Sequence, residues 1–383
     1  MFARNNRLTT SRARLYETVR SAHLERAHEL EPAAIVYRNK RYDFDDSLTA
    51  GLELVGASRL RTALLVTRSR LEVLEVNEPL MLESLPTTCM TLLFLSARHR
   101  LGRPIPRVVT YAIGNADPFR QLGNGRWKTR LRRRLERYLA RYAWRRIDRI
   151  VFGTESARAT YAALLPERGA PESKLVVALP EVCPICSVGD KDSSLVVYLG
   201  ALVARKGFPL LAKTWPIVVQ RSPGVRLEIL GKGELESLAK ELASSESSAE
   251  LTVDPARSAI HKVLARAQVL VLPSQSSSTW REQVGLPIVE ALAHGCSIVT
   301  TTETGLATWL REHGHTVVDA RSDELALATA IHYQLERRAS AGSVIATLPK
   351  RDGRLAADDW LFDTGVLHNG ADSDESADSN VRR

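Results

Sequence analysis

Residues 281–300 read Arg-Glu-Gln-Val-Gly-Leu-Pro-Ile-Val-Glu-Ala-Leu-Ala-His-Gly-Cys-Ser-Ile-Val-Thr. Two carboxylates, Glu282 and Glu290, stand eight positions apart, with Gly285 and Pro287 between them. Pro287 suits the first position of a helix, where its missing N–H is not needed. The helix is expected to run from Ile288 to His294, stop at Gly295, and pass into a buried strand at Ser297–Thr300. Glu282 then lies on the entering loop and Glu290 in the first turn. The free N–H groups and dipole of a helix start favour an anion, and carboxylates accept hydrogen bonds from sugar or ribose hydroxyls. A site that takes phosphate and hydroxyl groups side by side suits a nucleotide-sugar. A single Glu near a helix start is more often a surface residue complementing the dipole; here the spacing, the Gly-Leu-Pro and the Ala-Leu-Ala-His-Gly act together.

Outward from this stretch the C-terminal half is regular. Strands are expected at Leu195–Leu199, Arg226–Leu230, Leu251–Val253, Gln268–Leu272 and His315–Val318, with helices at Pro209–Arg221 and Ser322–Arg337. Asp254-Pro255 reads as the N-cap and first residue of another helix. Alternating strands and helices give a parallel sheet covered on both faces, which binds ligands beyond the carboxyl ends of its strands. Gly200 and the Arg205-Lys206-Gly207 run lie at one such end, where Lys206 can meet a diphosphate as a point charge. Gly231 and Gly233 permit close backbone approach, although a lone Gly-x-Gly is as readily a tight turn. Ser274 opens the polar loop that leads to Trp280 and Glu282.

The N-terminal half alternates too. Ala13–Leu30 reads as one amphipathic helix with Leu15, Val19, Ala22 and Ala27 inward. A strand at Ala33–Tyr37, a helix at Ser47–Val66 and a strand at Leu71–Val76 lead to Asn77-Glu78-Pro79. A helix at Leu85–Arg100 and a strand at Arg107–Ile113 lead to Gly114-Asn115-Ala116-Asp117-Pro118. Further on come a strand at Ile147–Thr154, a helix to Leu165 and a strand at Lys174–Leu179. Asn77, Asn115 and Asp117 are the polar residues expected beside an acceptor, with turn capping as their plainer role.

Between Arg126 and Arg149 eleven Lys or Arg face only Glu136 and Asp148, an excess equal to the net charge of the whole chain, +9. Leu131, Leu135, Tyr138, Leu139 and Tyr142 recur at helical spacing as a packing side. Arg130, Arg133, Arg134, Arg137 and Arg141 are left for an anionic membrane surface, or for water alone. No nucleic-acid motif accompanies the charge, and nucleic acid is not expected as a partner.

A chain of 383 residues, 44% hydrophobic and 25% charged, fits two globular domains. It has no apolar run long enough to span a membrane and no signal-peptide pattern. The expected location is the cytoplasm, peripheral on the inner face of the plasma membrane. Of the four cysteines, Cys183 and Cys186 have C-x-x-C spacing but no second ligand pair in the sequence. Reduced thiols and no metal are expected.

The Glu282-x7-Glu290 stretch resembles the E-x7-E motif of retaining glycosyltransferases of family 4 (glycosyl transferases group 1). The run Asp148-x-Ile-Val, Ser156, helix, Lys-Leu-Val-Val, Pro180 resembles the end of their first domain, and the likeness extends over roughly 148–337. It implies an α/β GT-B fold, two Rossmann-like domains facing a central cleft. Residues 1–182 would be the acceptor-side domain, with an atypical start lacking the family's first strand and Gly-rich loop. Residues 183–193 would be a linker, 194–340 the nucleotide-sugar domain, 341–365 a return segment and 366–383 a disordered tail. By resemblance Glu282 and Lys206 serve catalysis, Glu282 contacting the sugar hydroxyls. Glu290 takes the ribose, and Arg205, Gly200, Gly231, Gly233, Ser274, Gly285, Leu286, Pro287 and Ile288 line the donor. Ala201 stands where the family usually has Arg, and Ala112 where many members have His. The implied activity is retaining, metal-independent transfer of a hexosyl group from a nucleotide-diphosphate sugar, with no cofactor, to a hydroxyl of a lipid-linked or cell-envelope glycan. An inverting GT-B enzyme and a non-catalytic nucleotide-sugar-binding accessory protein of polysaccharide assembly are the alternatives.

Overall fold

A computed structural model of the chain describes residues 7–120, 127–183, 191–277 and 280–363. The first lobe comprises β1 (Arg12–Val19), α1 (Ser21–Ala27), β2 (Ala34–Lys40), β3 (Leu54–Gly56), α2 (Arg59–Arg68), β4 (Val73–Glu75), α3 (Leu85–Arg100), β5 (Arg107–Ala112), α4 (Trp127–Trp144), β6 (Arg149–Phe152), α5 (Glu155–Leu164) and β7 (Glu172–Leu175). The second comprises β8 (Asp192–Leu199), α6 (Phe208–Arg221), β9 (Arg226–Leu230), α7 (Glu236–Ser245), β10 (Ala249–Thr252), α8 (Arg257–Arg266), β11 (Ala267–Leu272), α9 (Leu286–Ala293), β12 (Ser297–Thr301), α10 (Ala307–Glu312), β13 (Thr316–Val318) and α11 (Glu324–Arg337). Two further helices follow, α12 (Ala341–Ile345) and α13 (Gly353–Phe362).

Each lobe is built on a parallel sheet, ordered β3-β2-β1-β4-β5-β6-β7 in the first and β10-β9-β8-β11-β12-β13 in the second. The strand order reverses between β1 and β4, and again between β8 and β11. At such a reversal the loops leave in opposite directions and open a crevice at the strands' carboxyl ends. Strands buried on both faces are nearly continuous in apolar residues, and β11 is buried throughout. The second core gathers Trp215, Tyr198, Phe208 and Ile288 among fully buried side chains; the first gathers Leu74, Leu95, Phe119 and Tyr161.

The start of the chain corrects the sequence reading. Residues 12–19 are a strand, and only Ser21–Ala27 is helical. The lobe therefore begins with the strand that seemed missing. Arg14 and Glu17 lie buried among Ala13, Leu15 and Val19, so the expected polar–apolar alternation is hidden and a helical pattern appears instead. The helix foreseen at 47–66 is likewise divided: a single tight turn at Asp46–Thr49, then β3, then α2 capped by the Ser58 hydroxyl, which accepts from the Arg61 amide at 3.4 Å. Asp254 does not cap α8. Its φ of 50° is left-handed, whereas an N-cap needs extended backbone, and Ala256 takes that place.

The chain returns to the first lobe at its end. Gly353 donates its amide to the Leu179 carbonyl at 2.9 Å, and α13 then lies on β5 and β6 with Leu361 and Phe362 fully buried. A buried ionic cluster fixes it. Asp358 accepts from Arg14 at 2.8 and 2.9 Å, from Arg354 at 3.0 Å and from the Glu31 amide at 2.9 Å. Glu75 accepts from Arg14 at 2.9 Å and Arg354 at 2.7 Å. Two guanidiniums and two carboxylates cancel, which is what allows them to leave water. The acids hold both guanidiniums above their ordinary pKa despite burial. The tail expected at 366–383 lies outside the described residues.

Candidate functional site

The reversal between β8 and β11 brings together the loops that sequence reading singled out. The β8 loop ends in a short turn, Ala204–Lys206, closed by Gly207 in the left-handed region at φ 76°. A Cβ at Gly207 would sit 1.8 Å from the Pro273 carbonyl oxygen, so only glycine lets the β8 and β11 loops touch. The Gln275 amide donates to the Arg205 carbonyl at 2.8 Å and locks the contact. Lys206 is thereby delivered to Glu282, with which it forms an ion pair through Oε2. The Ser274 hydroxyl donates to the same oxygen at 3.2 Å. Both charged side chains are about nine-tenths covered, 12% exposed for Lys206 and 10% for Glu282. Arg205 lies over the Trp280 ring at 4.6 Å, with Lys206 5.7 Å from its centroid, a cation–π arrangement that concentrates positive charge.

Glu282 also joins the lobes. Its carbonyl accepts from Asn115 Nδ2 at 2.8 Å and from the Gly305 amide at 3.1 Å. Asn115, on the β5 loop of the first lobe, is buried and acts as a strut between the lobes. Asp117 caps its own turn, accepting from the Phe119 amide at 2.8 Å. Asn77 is half-buried at the end of β4.

Several expectations change in detail. Gly285, at φ 85°, is the N-cap of α9, which begins at Leu286 with Pro287 in its first turn. Glu290 therefore lies beyond the first turn, and it pairs with Arg257 of α8 at 2.9 Å. Of the amides at 286–288, Pro287 has none and that of Ile288 donates to the Gly285 carbonyl at 2.8 Å. Among the described residues this leaves Leu286, 63% exposed, to offer an N–H. Gly231 approaches its own chain, since a Cβ there would lie 1.9 Å from the Gly200 carbonyl oxygen. Gly233 packs against the Leu202 carbonyl in the same way. These glycines shape the loops rather than record a ligand. Ala112 is fully buried in the core of the first lobe. Tyr198 OH donates to the carbonyl of Ala201 at 3.0 Å.

Sequence reading missed Trp280 and Arg257 as partners of the site, because only the folded loops juxtapose them. It missed Glu78 as well. That carboxylate accepts from the Gly114 amide at 3.0 Å and from Tyr161 OH at 2.8 Å, and burial raises its pKa against these bonds. On α4, Leu131, Leu135 and Tyr138 are exposed rather than packed; Ala140, Ala143 and Trp144 make the buried side instead. Arg130, Arg134, Arg137 and Arg141 are exposed, but Arg133 turns inward to Glu136 at 2.9 Å.

Two parallel-sheet lobes, joined where Asn115 meets Glu282, define the GT-B fold, two Rossmann-like domains with the reversal point of the second facing the first. Solved structures agree. The chain superposes on WaaG, a glycosyltransferase of lipopolysaccharide biosynthesis, at TM-score 0.56 and 14% identity over 92% of this chain and 99% of that one. For the lipopolysaccharide outer core galactosyltransferase WaaB the values are 0.63 and 11%, over 91% and 97%. For Anabaena HepE in complex with UDP they are 0.60 and 12%, over 92% and 96%. Residues 193–337, most of the second lobe, match the family model for glycosyl transferases group 1. A stretch of 169 residues is 28% identical to an uncharacterized glycosyltransferase of Haemophilus influenzae, taking in 43% of this chain and 45% of that relative, less than half of its length.

Proposed function

We propose that the protein transfers a sugar from a nucleotide-diphosphate sugar to a hydroxyl acceptor, with retention at the anomeric carbon and without a metal. The convergence of Lys206 and Ser274 on Glu282, at the reversal point of the group 1 lobe, carries this reading. Lys206 is the cation for the diphosphate, and Arg205 over Trp280 supplies a second positive group where the family's usual Arg is replaced by Ala201. Glu282, freed from Lys206 as phosphate takes its place, turns its carboxylate to the sugar hydroxyls. Glu290 serves the ribose, exchanging its bond to Arg257. Among relatives in fold, HepE has been solved with UDP and with UDP and glucose, a donor class that matches these groups.

In the reaction the bond from the anomeric carbon to the diphosphate oxygen breaks while the acceptor oxygen bonds on the same face. The departing phosphate oxygen takes the acceptor's proton. The protein's part is to stabilise charge on the leaving group with fixed donors in a water-poor crevice. Exposed Trp127, Leu131, Leu135 and Tyr138 interleave with the arginines of α4, beside a recess of about 280 Å³ lined by Leu82, Leu85, Leu135 and Leu139 together with Arg59, Glu83, Arg132 and Glu136. That surface supports a lipid-linked acceptor at an anionic bilayer. Among the described residues no helix is long and apolar enough to cross a membrane.

The test is a panel of UDP-, GDP- and ADP-sugars in thermal unfolding, followed by donor hydrolysis and transfer to a lipid fraction. One nucleotide at a hundredfold excess over its Kd stabilises by about 2.7 kcal/mol. A melting shift with turnover supports the enzyme; a shift without hydrolysis or transfer identifies the non-catalytic accessory protein; no shift with any nucleotide overturns the site.

A further inference from the structure

The two flanks of the segment between the lobes are tied to the same pair of helices. The Cys183 amide donates to the carbonyl of Ala293, the last residue of α9, at 3.0 Å. Lys191 donates to the carbonyls of Leu264 and Ala265 in α8 at 2.8 and 3.0 Å. At the first of these ties three side chains converge from separate parts of the chain. His261 comes from α8, His294 from the C-cap of α9, and Cys183 from the connecting segment. Sγ of Cys183 lies 3.7 Å from Nδ1 of His261, which lies 3.0 Å from Nε2 of His294. All three atoms fall within 4.8 Å of one another.

The 3.7 Å and 3.0 Å separations are close to edges of a metal tetrahedron. With metal–sulfur and metal–nitrogen bonds of ordinary zinc length, ligand atoms stand roughly 3.6 Å apart for S···N and roughly 3.3 Å for N···N. The tautomer is set as a metal needs it. His294 Nδ1–H donates to the Glu290 carbonyl at 2.6 Å, which turns the Nε2 lone pair towards the other two donors. An imidazole oriented by a backbone carbonyl is the usual support behind a metal-ligating histidine. A cation there also meets the C-terminal end of α9, where the helix dipole favours positive charge.

We propose that Cys183, His261 and His294 form a zinc site that staples the interlobe segment to α8 and α9. One thiolate with two imidazoles is a donor set that favours zinc over the oxygen-seeking ions. The fourth position takes water or one more donor. The sequence carries Cys186 at C-x-x-C spacing from Cys183, but that residue lies outside the described residues and the site stands on the three donors named. Sequence alone predicts no metal because the histidines are 78 and 111 positions beyond Cys183 and only the packing of α8 on α9 unites them. The role is structural: α9 enters the donor crevice by its other end, and its C-terminal end is where the metal would hold it. This inference does not depend on the transferase reading.

The test uses the full chain, purified without chelators, and elemental analysis. About one zinc per chain is expected, falling to background in Cys183→Ser and in His294→Asn. Cobalt added to chelator-stripped protein should give tetrahedral ligand-field bands and a thiolate-to-cobalt charge-transfer band. The charge-transfer band should vanish in Cys183→Ser, and zinc should restore the melting temperature that chelation lowers. If a variant fails to fold, the cobalt spectrum of the wild-type chain decides. A wild-type chain that gives no thiolate band, or variants that keep their zinc, would overturn the site and leave a histidine–histidine hydrogen bond beside an idle thiol.

Discussion

Replacing Lys206 by Met and Glu282 by Gln, singly and together, tests whether the crevice is built around an ion pair that a diphosphate must displace. Both side chains are about nine-tenths covered, so either charge left alone is poorly solvated. Breaking a buried pair from one side costs about 3–5 kcal/mol when burial is complete; here, with a tenth of each side chain wet, about 2–3 kcal/mol is expected. Lys206→Met is the harsher change, since among the described residues it leaves the Glu282 carboxylate with the Ser274 hydroxyl at 3.2 Å as its one remaining partner. The double variant removes both charges and should fall within about 1 kcal/mol of wild type, because paired removal is often nearly neutral. The implied coupling is about 3–5 kcal/mol, readable by urea unfolding of the four proteins. All three variants should lose transfer activity by roughly tenfold to a thousandfold, the scale of one lost preorganised contact. Stabilities that add within about 0.5 kcal/mol would show the pair is not formed. Coupled stabilities with unchanged turnover would refute its role with the donor.

Other tests address the frame around the site. Asp358→Ala leaves Arg14 and Arg354 facing a single carboxylate, and should lower stability by about 3–5 kcal/mol; unchanged thermal unfolding would refute the clasp of α13. His315 is held down to about 4 by burial and then by Arg337, while its Nδ1 accepts from the Ile298 amide at 3.2 Å. The unfolded chain therefore binds the extra proton first. This stability is present above the ordinary histidine pKa of about 6.5, is lost as pH falls towards about 4, and amounts to roughly 2 kcal/mol between pH 7 and 5. His315→Asn, which keeps an acceptor in place, should flatten that slope in urea titrations, and an unaltered slope would count against it. Reversing Arg130, Arg134, Arg137 and Arg141 to Glu should abolish sedimentation with phosphatidylglycerol vesicles, each arginine contributing about 1 kcal/mol; equal binding by both proteins would rule out α4 as the contact.

Much of the second lobe was legible because its strands are buried on both faces and its helices are amphipathic, so local pattern and final environment agree. Arg226–Leu230 coincides with the observed β9, and in the first lobe Leu85–Arg100 coincides with α3. The first strand was not legible, since Arg14 is a core residue by virtue of Glu75 and Asp358, 61 and 344 positions away. The exposed leucines of α4 were misread for a related reason. Helical spacing shows that a helix has an apolar stripe, and only its neighbours decide whether that stripe meets protein or solvent. At the candidate site, Lys206, Ser274 and Glu282 were foreseen individually, but their shared oxygen was not.

By itself the sequence determined the alternation of strands and helices, and hence two parallel-sheet lobes, because burial and helical period act over a few residues. It also determined which loops carry a cation, small residues and carboxylates. Tertiary structure alone decided which of those groups touch: that Asn115 reaches Glu282, that Glu290 rests on Arg257, and that Cys183 meets two histidines. Such contacts depend on where strand order reverses and how helices pack, and no local run of residues encodes either.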